Sequence, residues 1–454
     1  MSIKAISEPR FDALCFMRRP NSKIIGEERE WYSDDNENVL GVMIFDRADK
    51  DWLYIVLGRD EVARFRHIDS EINYKTDAEA RNALHRKMEE YSRRGESGFP
   101  QGIERKNKKT FLIFKPIAPQ DKLDPFFVVL SESKRYSPAR EIIEEIAYTF
   151  EDPDGNYIQQ FQTTGFDARL WELYLYAALH ELGFQIDRTY KAPDYVCSSL
   201  GRKVIIEATT ANSMQQKNVV EVSELKGNEL EDFIAITFGS PLHTKLQKRY
   251  WEQEHVKGHP FVLAIADLRR TEDVGYCAPH LMRYLYGLHQ DQENGMFTYT
   301  PIKEHTFGGK TIPSGFFNLP DAGNISAILF SDSGTISKFN RMGKIAGFGD
   351  PAVIMARAGE RYPHRDSEVP EPFRVLIEGS YRETWSEGIW IFHNPNAKVT
   401  LEREMFPDVA HVYLENGGFN VYLSDAFPTW SKTLILSSEE DRKMFNAEGE
   451  QRSH

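Results

Sequence analysis

The sequence predicts a chain of mixed α/β class, and three observations carry that reading. A segment of helical character, FDARLWELYLYAALHELGF, is apolar at nearly every position and is followed by three strand-like runs. A polar stretch, a further helix, an apolar strand and another helix then follow, up to about residue 290. Such alternation indicates helices layered on a sheet. On either side the text changes: residues 1–160 read as an α+β domain, 161–292 as the α/β core, and 293–454 as a β-rich region.

In the first region VLGVMIFD and DWLYIVLG read as strands separated by the turn ADKD. A helix is expected over 77–92, with Leu84, Met88 and Tyr91 at helical spacing and Thr76 or Asp77 as its cap. KTFLIFKPI and DPFFVVLSE read as two further strands, and 138–148 as a short helix with Ser137 as cap and Pro138 in its first turn. In the last region ISAILF, GIWIFHN, HVYLENG and GFNVYLSD are short apolar runs of strand type. Within the core, residues 184–190 alternate as a strand. Pro193 opens a second strand, a position that tolerates proline, with Asp194 beside it. Residues 198–201 make a hairpin turn into a third strand over 203–209, whose Val204, Ile205 and Ile206 fit a strand covered on both faces. One short helix is expected near 221–232 and another over 241–254.

Bulk properties narrow the class. A chain of 454 residues with 41% hydrophobic and 28% charged residues can bury a core and is neither a disordered tail nor a fibre. Three scattered cysteines without a CxxC pair argue against a zinc site or a disulfide framework and fit a reducing compartment. The N-terminal residues lack the apolar run of a signal peptide, and no apolar run approaches the roughly 20 residues needed to span a bilayer. A cytoplasmic chain without a membrane partner is expected. The net charge of −13 argues against a basic coat for unspecific nucleic-acid binding, while leaving room for a local basic groove.

The chemistry concentrates in carboxylates of the core. Glu172 lies within the apolar helix, where a carboxylate is costly unless paired. Arg169, three residues back on the same face, is its ordinary partner, and a metal or metal-bound water is the alternative. Glu207 closes the apolar third strand and points the same way as Thr209, about 7 Å further on. If the strands of Asp194 and Glu207 pair as a hairpin, their carboxylates converge at one end of the sheet. Two hard oxygen ligands and a backbone carbonyl suit Mg2+ or Mn2+.

On these residues the segment 166–268, about 100 of the 454 residues, resembles the PD-(D/E)XK or restriction-endonuclease-like nuclease superfamily. Glu172 matches its helix glutamate, Pro193-Asp194 its Pro-Asp at a strand start, and Glu207 its second acid. The order helix, three strands, helix, strand also fits. The resemblance implies a restriction-endonuclease-like mixed sheet and metal-dependent hydrolysis of nucleic acid, DNA first, in restriction or defence against foreign DNA. It implies that Asp194 and Glu207 hold Mg2+ (or Mn2+) with the carbonyl of Ala208 as third ligand, and that Glu172 takes a second metal or a bridging water. The departure is Thr209, which stands where the family has the lysine that stabilises developing negative charge. Branches of the superfamily carry that lysine on the next helix, where this chain has Lys245 and Lys248 about one turn apart.

Two alternatives stand beside this reading. Thr209 raises a catalytically inactive nuclease-fold protein that binds or regulates. Paired acids and 12% aromatic residues are compatible with a glycosidase, against which the apolar surroundings of Glu207 count. Self-association stays open. Elsewhere GIERKNKKTFLIFK interleaves Arg105, Lys106, Lys108, Lys109 and Lys115 with Phe111 and Phe114, as a nucleic-acid strand or a solvated loop would require. LFSDSGTISKFNRMGKIAGFG reads either as a groove lining with Lys338, Arg341 and Lys344 or as a hairpin with exposed charges. His255 and His259 fall in a loop broken by Gly258 and Pro260, and neither a P-loop nor a GxSxG elbow is present.

Overall fold

The first part of the chain folds into a five-stranded antiparallel sheet of β1 (Ile3–Ile6), β2 (Gly26–Asp34), β3 (Val39–Asp46), β4 (Asp51–Arg59) and β5 (Phe65–Tyr74), paired in that order. The structure is a computed structural model that describes residues 2–18, 26–94, 99, 110–211, 225–267, 277–293, 296–436, 438, 441–442 and 445. The chain divides into two units. One takes Met1–Phe166, Ile336–Val353 and Ile377–Arg382; the other takes Asp167–Thr335, Ile354–Leu376 and Glu383–His454.

In the first unit, α1 (Glu8–Leu14) starts from Ser7, whose side chain accepts the Arg10 N–H. Next, α2 (Asp77–Arg94) lays Ala80, Ala83, Leu84 and Met88 on Val39, Met43, Tyr54 and Val56 of the sheet. The helix comes close at Gly41, where a Cβ would lie 2.5 Å from Met88 Sδ.

DPFFVVLSE is not a strand: α3 (Pro125–Glu132) is a helix. Asp124 caps it by accepting the Phe126 N–H at 2.8 Å, and Pro125 occupies the first helical position, where no amide donor is needed. These end signals override the β preference of Phe126, Phe127, Val128 and Val129. Of KTFLIFKPI the described residues, 110–117, form no strand either. The buried side chain of Gln162 serves their backbone instead, accepting the Ile117 N–H at 2.9 Å and donating to the carbonyls of Ile113 and Lys115. Phe114 packs on Phe127 and Phe161, and Phe111 on Phe150 and Tyr157. Arg105, Lys106, Lys108 and Lys109 lie outside the described residues.

Two helices, α4 (Ser137–Thr149) and α5 (Tyr157–Gln162), complete the contiguous part of this unit. The stretch read as a groove lining or a charged hairpin contains instead the helix Ile336–Ile345, with Lys338 and Arg341 buried. It packs on α4 through Asn340, whose Oδ1 accepts the Ala139 N–H at 3.1 Å. A Cβ on Gly343 would overlap the carbonyl of Pro138. Gly343→Ala is therefore expected to destabilise the protein by about 1–3 kcal/mol, the usual range for overpacking, read as a lower urea midpoint at unchanged m.

The second unit opens with α6 (Phe166–Glu181), β6 (Gln185–Asp187), β7 (Tyr195–Ser199) and β8 (Arg202–Thr210). These three strands form an antiparallel meander. Leu200 and Gly201, at φ 48 and 81, make the two-residue turn between β7 and β8. The next helix, α7 (Asn228–Gln247), is one continuous element where two were expected. Pro241, read as a helix start, lies inside it. Nearby hydroxyls of Ser240 and Thr244 donate to the carbonyls of Ile236 and Ser240, the kind of local support that lets a helix continue through a proline. This helix is the crossover that lets β9 (Phe261–Ala266) pair parallel to β8. After it come α8 (Ala278–Tyr286), the hairpin β10 (Leu288–Glu293) and β11 (Met296–Pro301), the hairpin β12 (Glu304–Phe307) and β13 (Lys310–Pro313), and β14 (Ala327–Ser331).

Further on, β15 (Ile354–Tyr362), β16 (Glu371–Leu376), β17 (Trp390–His393), β18 (Ala410–Glu415), β19 (Gly418–Tyr422) and β20 (Phe427–Leu436) follow in sequence. The large sheet has eight strands in the order β19-β18-β17-β14-β9-β8-β7-β6, while β16-β15-β20 form a separate sheet. The expected boundary at 292/293 thus falls inside one unit, because β14, β17, β18 and β19 continue the sheet begun by β6.

Every residue of β9 is buried, as a strand covered on both faces requires. On one face α7 and α8 pack Phe233, Phe238, Leu242 and Leu281 over Val196, Ile205, Leu263 and Ile265, each worth about 1.5–3 kcal/mol of burial. On the opposite face α6 is tied down by Trp171 Nε1, which donates to the Ala264 carbonyl at 3.3 Å. Among the described residues no helix is long and apolar enough to cross a membrane.

Candidate metal centre

The hairpin β7–β8 decides which carboxylates meet. Its register pairs Tyr195 with Ile206, which brings the preceding residue, Asp194, beside Glu207. Two hydrogen bonds close the pair: the Asp194 N–H donates to Glu207 Oε2 at 3.2 Å, and the Ala208 N–H donates to Asp194 Oδ2 at 2.8 Å. In an extended strand one residue's N–H and C=O face the same neighbour, so the Ala208 carbonyl points to the Asp194 side.

Glu207 is only 3% exposed, at the end of the apolar run that fixes β8 in the sheet. From the helical layer, Lys245 Nζ donates to Glu207 Oε1 at 2.5 Å. Lys245 reaches it from the last turn of α7. Lys248 caps the end of that helix, is exposed, and is not brought to the carboxylates. Thr209 is half-buried two residues past Glu207.

Glu172, 6% exposed on α6, is held by two guanidinium groups. Arg169 Nη1 donates to its Oε1 at 2.6 Å, and Arg188 Nη2 to its Oε2 at 3.3 Å. The Tyr195 hydroxyl donates to the Glu172 carbonyl at 2.6 Å and so fixes α6 to β7. Glu172 and Glu207 bear on the same neighbour. Burial, and then the charge of Asp194, push each glutamate up to about 7. For Lys245, burial pulls the ammonium down, but the charge and hydrogen bond of Glu207 outweigh it and hold it above its ordinary value. Tyr250, in the turn after α7, is raised by burial and by the charge of Glu207.

The centre therefore consists of Asp194, Glu207, the Ala208 backbone and Lys245, with Glu172, Arg169 and Arg188 behind it. Among the described residues no three His, Cys, Asp or Glu side chains stand together as a metal-binding group. A divalent ion here would rest on Asp194, Glu207 and the Ala208 carbonyl, a hard-oxygen set that fits Mg2+ or Mn2+ in kind. Glu172 would contribute through its charge, since its oxygens already accept from arginines.

Three further contacts join the site only through the packed fold. Arg188 follows the short strand β6 and finds Glu172 only because the sheet places it there. Tyr250 comes near Glu207 through the turn after α7. The third is a stacked pair near Asp194: the Tyr190 and His255 rings lie 3.9 Å apart and nearly parallel, with His255 Nε2 3.2 Å from the Ala192 carbonyl. That contact accounts for His255 without His259.

The raised glutamates set a pH dependence. Between the ordinary glutamate value and about 7 the folded chain keeps protons that the unfolded chain has lost, so these groups stabilise most at low pH, and the contribution falls as pH rises through that window. The wild type is expected to lose stability relative to Glu207→Gln between pH 5 and pH 8, measured as the difference in urea midpoints so that other titrations cancel. A difference that stays flat or reverses over that range would show that Glu207 is ionised throughout.

Compared with family models, with curated proteins and with solved structures, the chain matches none.

Proposed function

We propose that the second unit is a metal-dependent nuclease of restriction-endonuclease-like type that hydrolyses phosphodiester bonds of nucleic acid, DNA in the first instance, in restriction or defence. The observation that carries the reading is the hydrogen-bonded set Asp194, Glu207 and Lys245. Lys245 brings from α7 the positive charge that Thr209 lacks. The order α6, antiparallel β6–β7–β8, α7 and parallel β9 supports it, being the order the resemblance calls for.

A bound divalent ion would supply an activated water and neutralise the scissile phosphate. The chain's own residues do the rest. Asp194 and Glu207 present oxygens at one edge of the hairpin, and the Ala208 amide fixes Asp194 in place. Lys245 places an ammonium where negative charge develops on phosphate oxygens. Arg169 and Arg188 hold Glu172 behind the site.

The test is incubation of the full chain with supercoiled and linear DNA in Mg2+, in Mn2+ and in EDTA. Cutting that needs the metal supports the proposal; cutting that persists in EDTA contradicts it. A second reading, a nuclease-fold protein that binds without cutting, is favoured by a specific feature: Glu172 and Glu207 are already matched by Arg169, Arg188 and Lys245 without any metal. No cutting together with metal binding that depends on these carboxylates would select it.

A further inference from the structure

Elsewhere in the second unit three side chains form a hydrogen-bonded relay that the carboxylate centre does not use. Asp232 lies near the start of α7, His305 on β12, and Ser314 just after β13. The hairpin register pairs Glu304 with Pro313, so Ser314 follows directly on the last pair, and its N–H donates to the Lys303 carbonyl at 3.0 Å. His305 Nδ1 is 2.9 Å from Asp232 Oδ1, and His305 Nε2 is 2.9 Å from Ser314 Oγ.

The carboxylate fixes the tautomer. A carboxylate accepts from Nδ1–H, and in that tautomer Nε2 is the nitrogen that accepts from the serine hydroxyl. A hydroxyl facing a base that is itself oriented by a carboxylate is the arrangement of an activated nucleophile. The imidazole is 1% exposed, while Ser314 is only partly buried. The N–H groups of Ser314 and Gly315 already donate to the carbonyls of Lys303 and Tyr284. A different donor stands beside them. A Cβ on Gly315 would come within 2.9 Å of Asn318 Nδ2, and the Asn318 Oδ1 accepts from Asn396 Nδ2 at 3.1 Å, which turns the Asn318 amide nitrogen towards the serine's neighbour.

We propose that Ser314 is the nucleophile of an ester-cleaving site, with His305 as its base and Asp232 as the group that orients that base. Ser314 Oγ bonds to the acyl carbon of a carboxylic ester while its proton passes to His305 Nε2. The alkoxide leaves with that proton as an alcohol. Water then gives a proton to Nε2 and attacks the acyl carbon, the Ser–acyl bond breaks, and the proton returns to Oγ as the carboxylic acid departs. Asp232 faces the imidazolium that forms and holds it in place. This site is independent of the metal centre: Asp232 and Lys245 are separated along α7 by about 20 Å at 1.5 Å per residue.

The test treats the full-length protein with a fluorescent fluorophosphonate in EDTA and maps the label by peptide mass spectrometry. The expected result is labelling of Ser314, absent in Ser314→Ala and slowed at least about 100-fold in His305→Gln or, if that variant does not fold by circular dichroism, in Asp232→Asn. Absence of label on Ser314 in the wild type overturns the proposal. So does labelling of Ser314 that proceeds at the wild-type rate in the folded His305 or Asp232 variant.

Discussion

Asp194→Ala and Glu207→Ala are each expected to reduce metal-dependent DNA cutting at least about 1,000-fold, the consequence of losing several kcal/mol of stabilisation by the ion at the transition state. The two changes should act alike because the residues act as a pair. Each variant removes one of the two carboxylates that would hold the ion, while the backbone N–H groups of Asp194 and Ala208 still fix the one that remains. Glu172→Gln should have a smaller effect, since Glu172 touches Arg169 and Arg188 rather than Asp194 or Glu207 directly. Initial rates of plasmid nicking in Mg2+ measure all three. Full activity in Asp194→Ala would remove it from the site.

Lys245→Met is expected to give the largest loss of stability, about 2–3 kcal/mol at pH 8. That is below the range for breaking a fully buried ion pair, because Lys245 keeps 24% of its side chain in solvent while Glu207 keeps 4%. The cost comes mainly from Glu207, whose charge would be left in an apolar layer with no counter-charge on that oxygen. At pH 5.5 the carboxyl is protonated and the cost should shrink, because burial pushes Glu207 up to about 7. Adding Glu207→Gln to Lys245→Met should recover most of the lost stability, and a double-mutant cycle from urea denaturation reads the coupling directly. If Lys245→Met were as stable as the wild type at pH 8, the ammonium would be a surface charge with no hold on the strand.

The hairpin and its carboxylates were legible because local rules act there. Pro193 before Asp194, the turn at Leu200–Gly201, and the run Val204-Ile205-Ile206 closing on Glu207 each constrain neighbours only a few residues away. The buried strand β9 was legible for the same reason. At residues 124–132 the capping of Asp124 and Pro125 starts a helix through residues that favour strands. At Pro241 the helix α7 continues through a residue that commonly opens or ends one. Arg188 was not legible at all. Its pairing with Glu172 spans 16 residues and exists only once α6 and the sheet are packed together. The same holds for the strands after residue 293: nothing in ISAILF or GIWIFHN says which sheet it joins, yet β14 pairs with β9 and β17 with β14. Choice of partner is a property of the packed fold, and local sequence does not encode it. Lys245 lies between these cases: the resemblance pointed to the next helix and left two lysines, and the pitch of α7 puts one of them on Glu207.

The metal centre is tested most directly by calorimetric titration of Mn2+ into the full chain at pH 8, above the raised value of Glu207, beside Asp194→Asn and Glu207→Gln. Saturable binding of an ion is expected in the wild type and is lost in both variants while their circular dichroism is unchanged. Absence of binding in the wild type, or binding of equal affinity in all three proteins, would contradict a metal centre at Asp194 and Glu207.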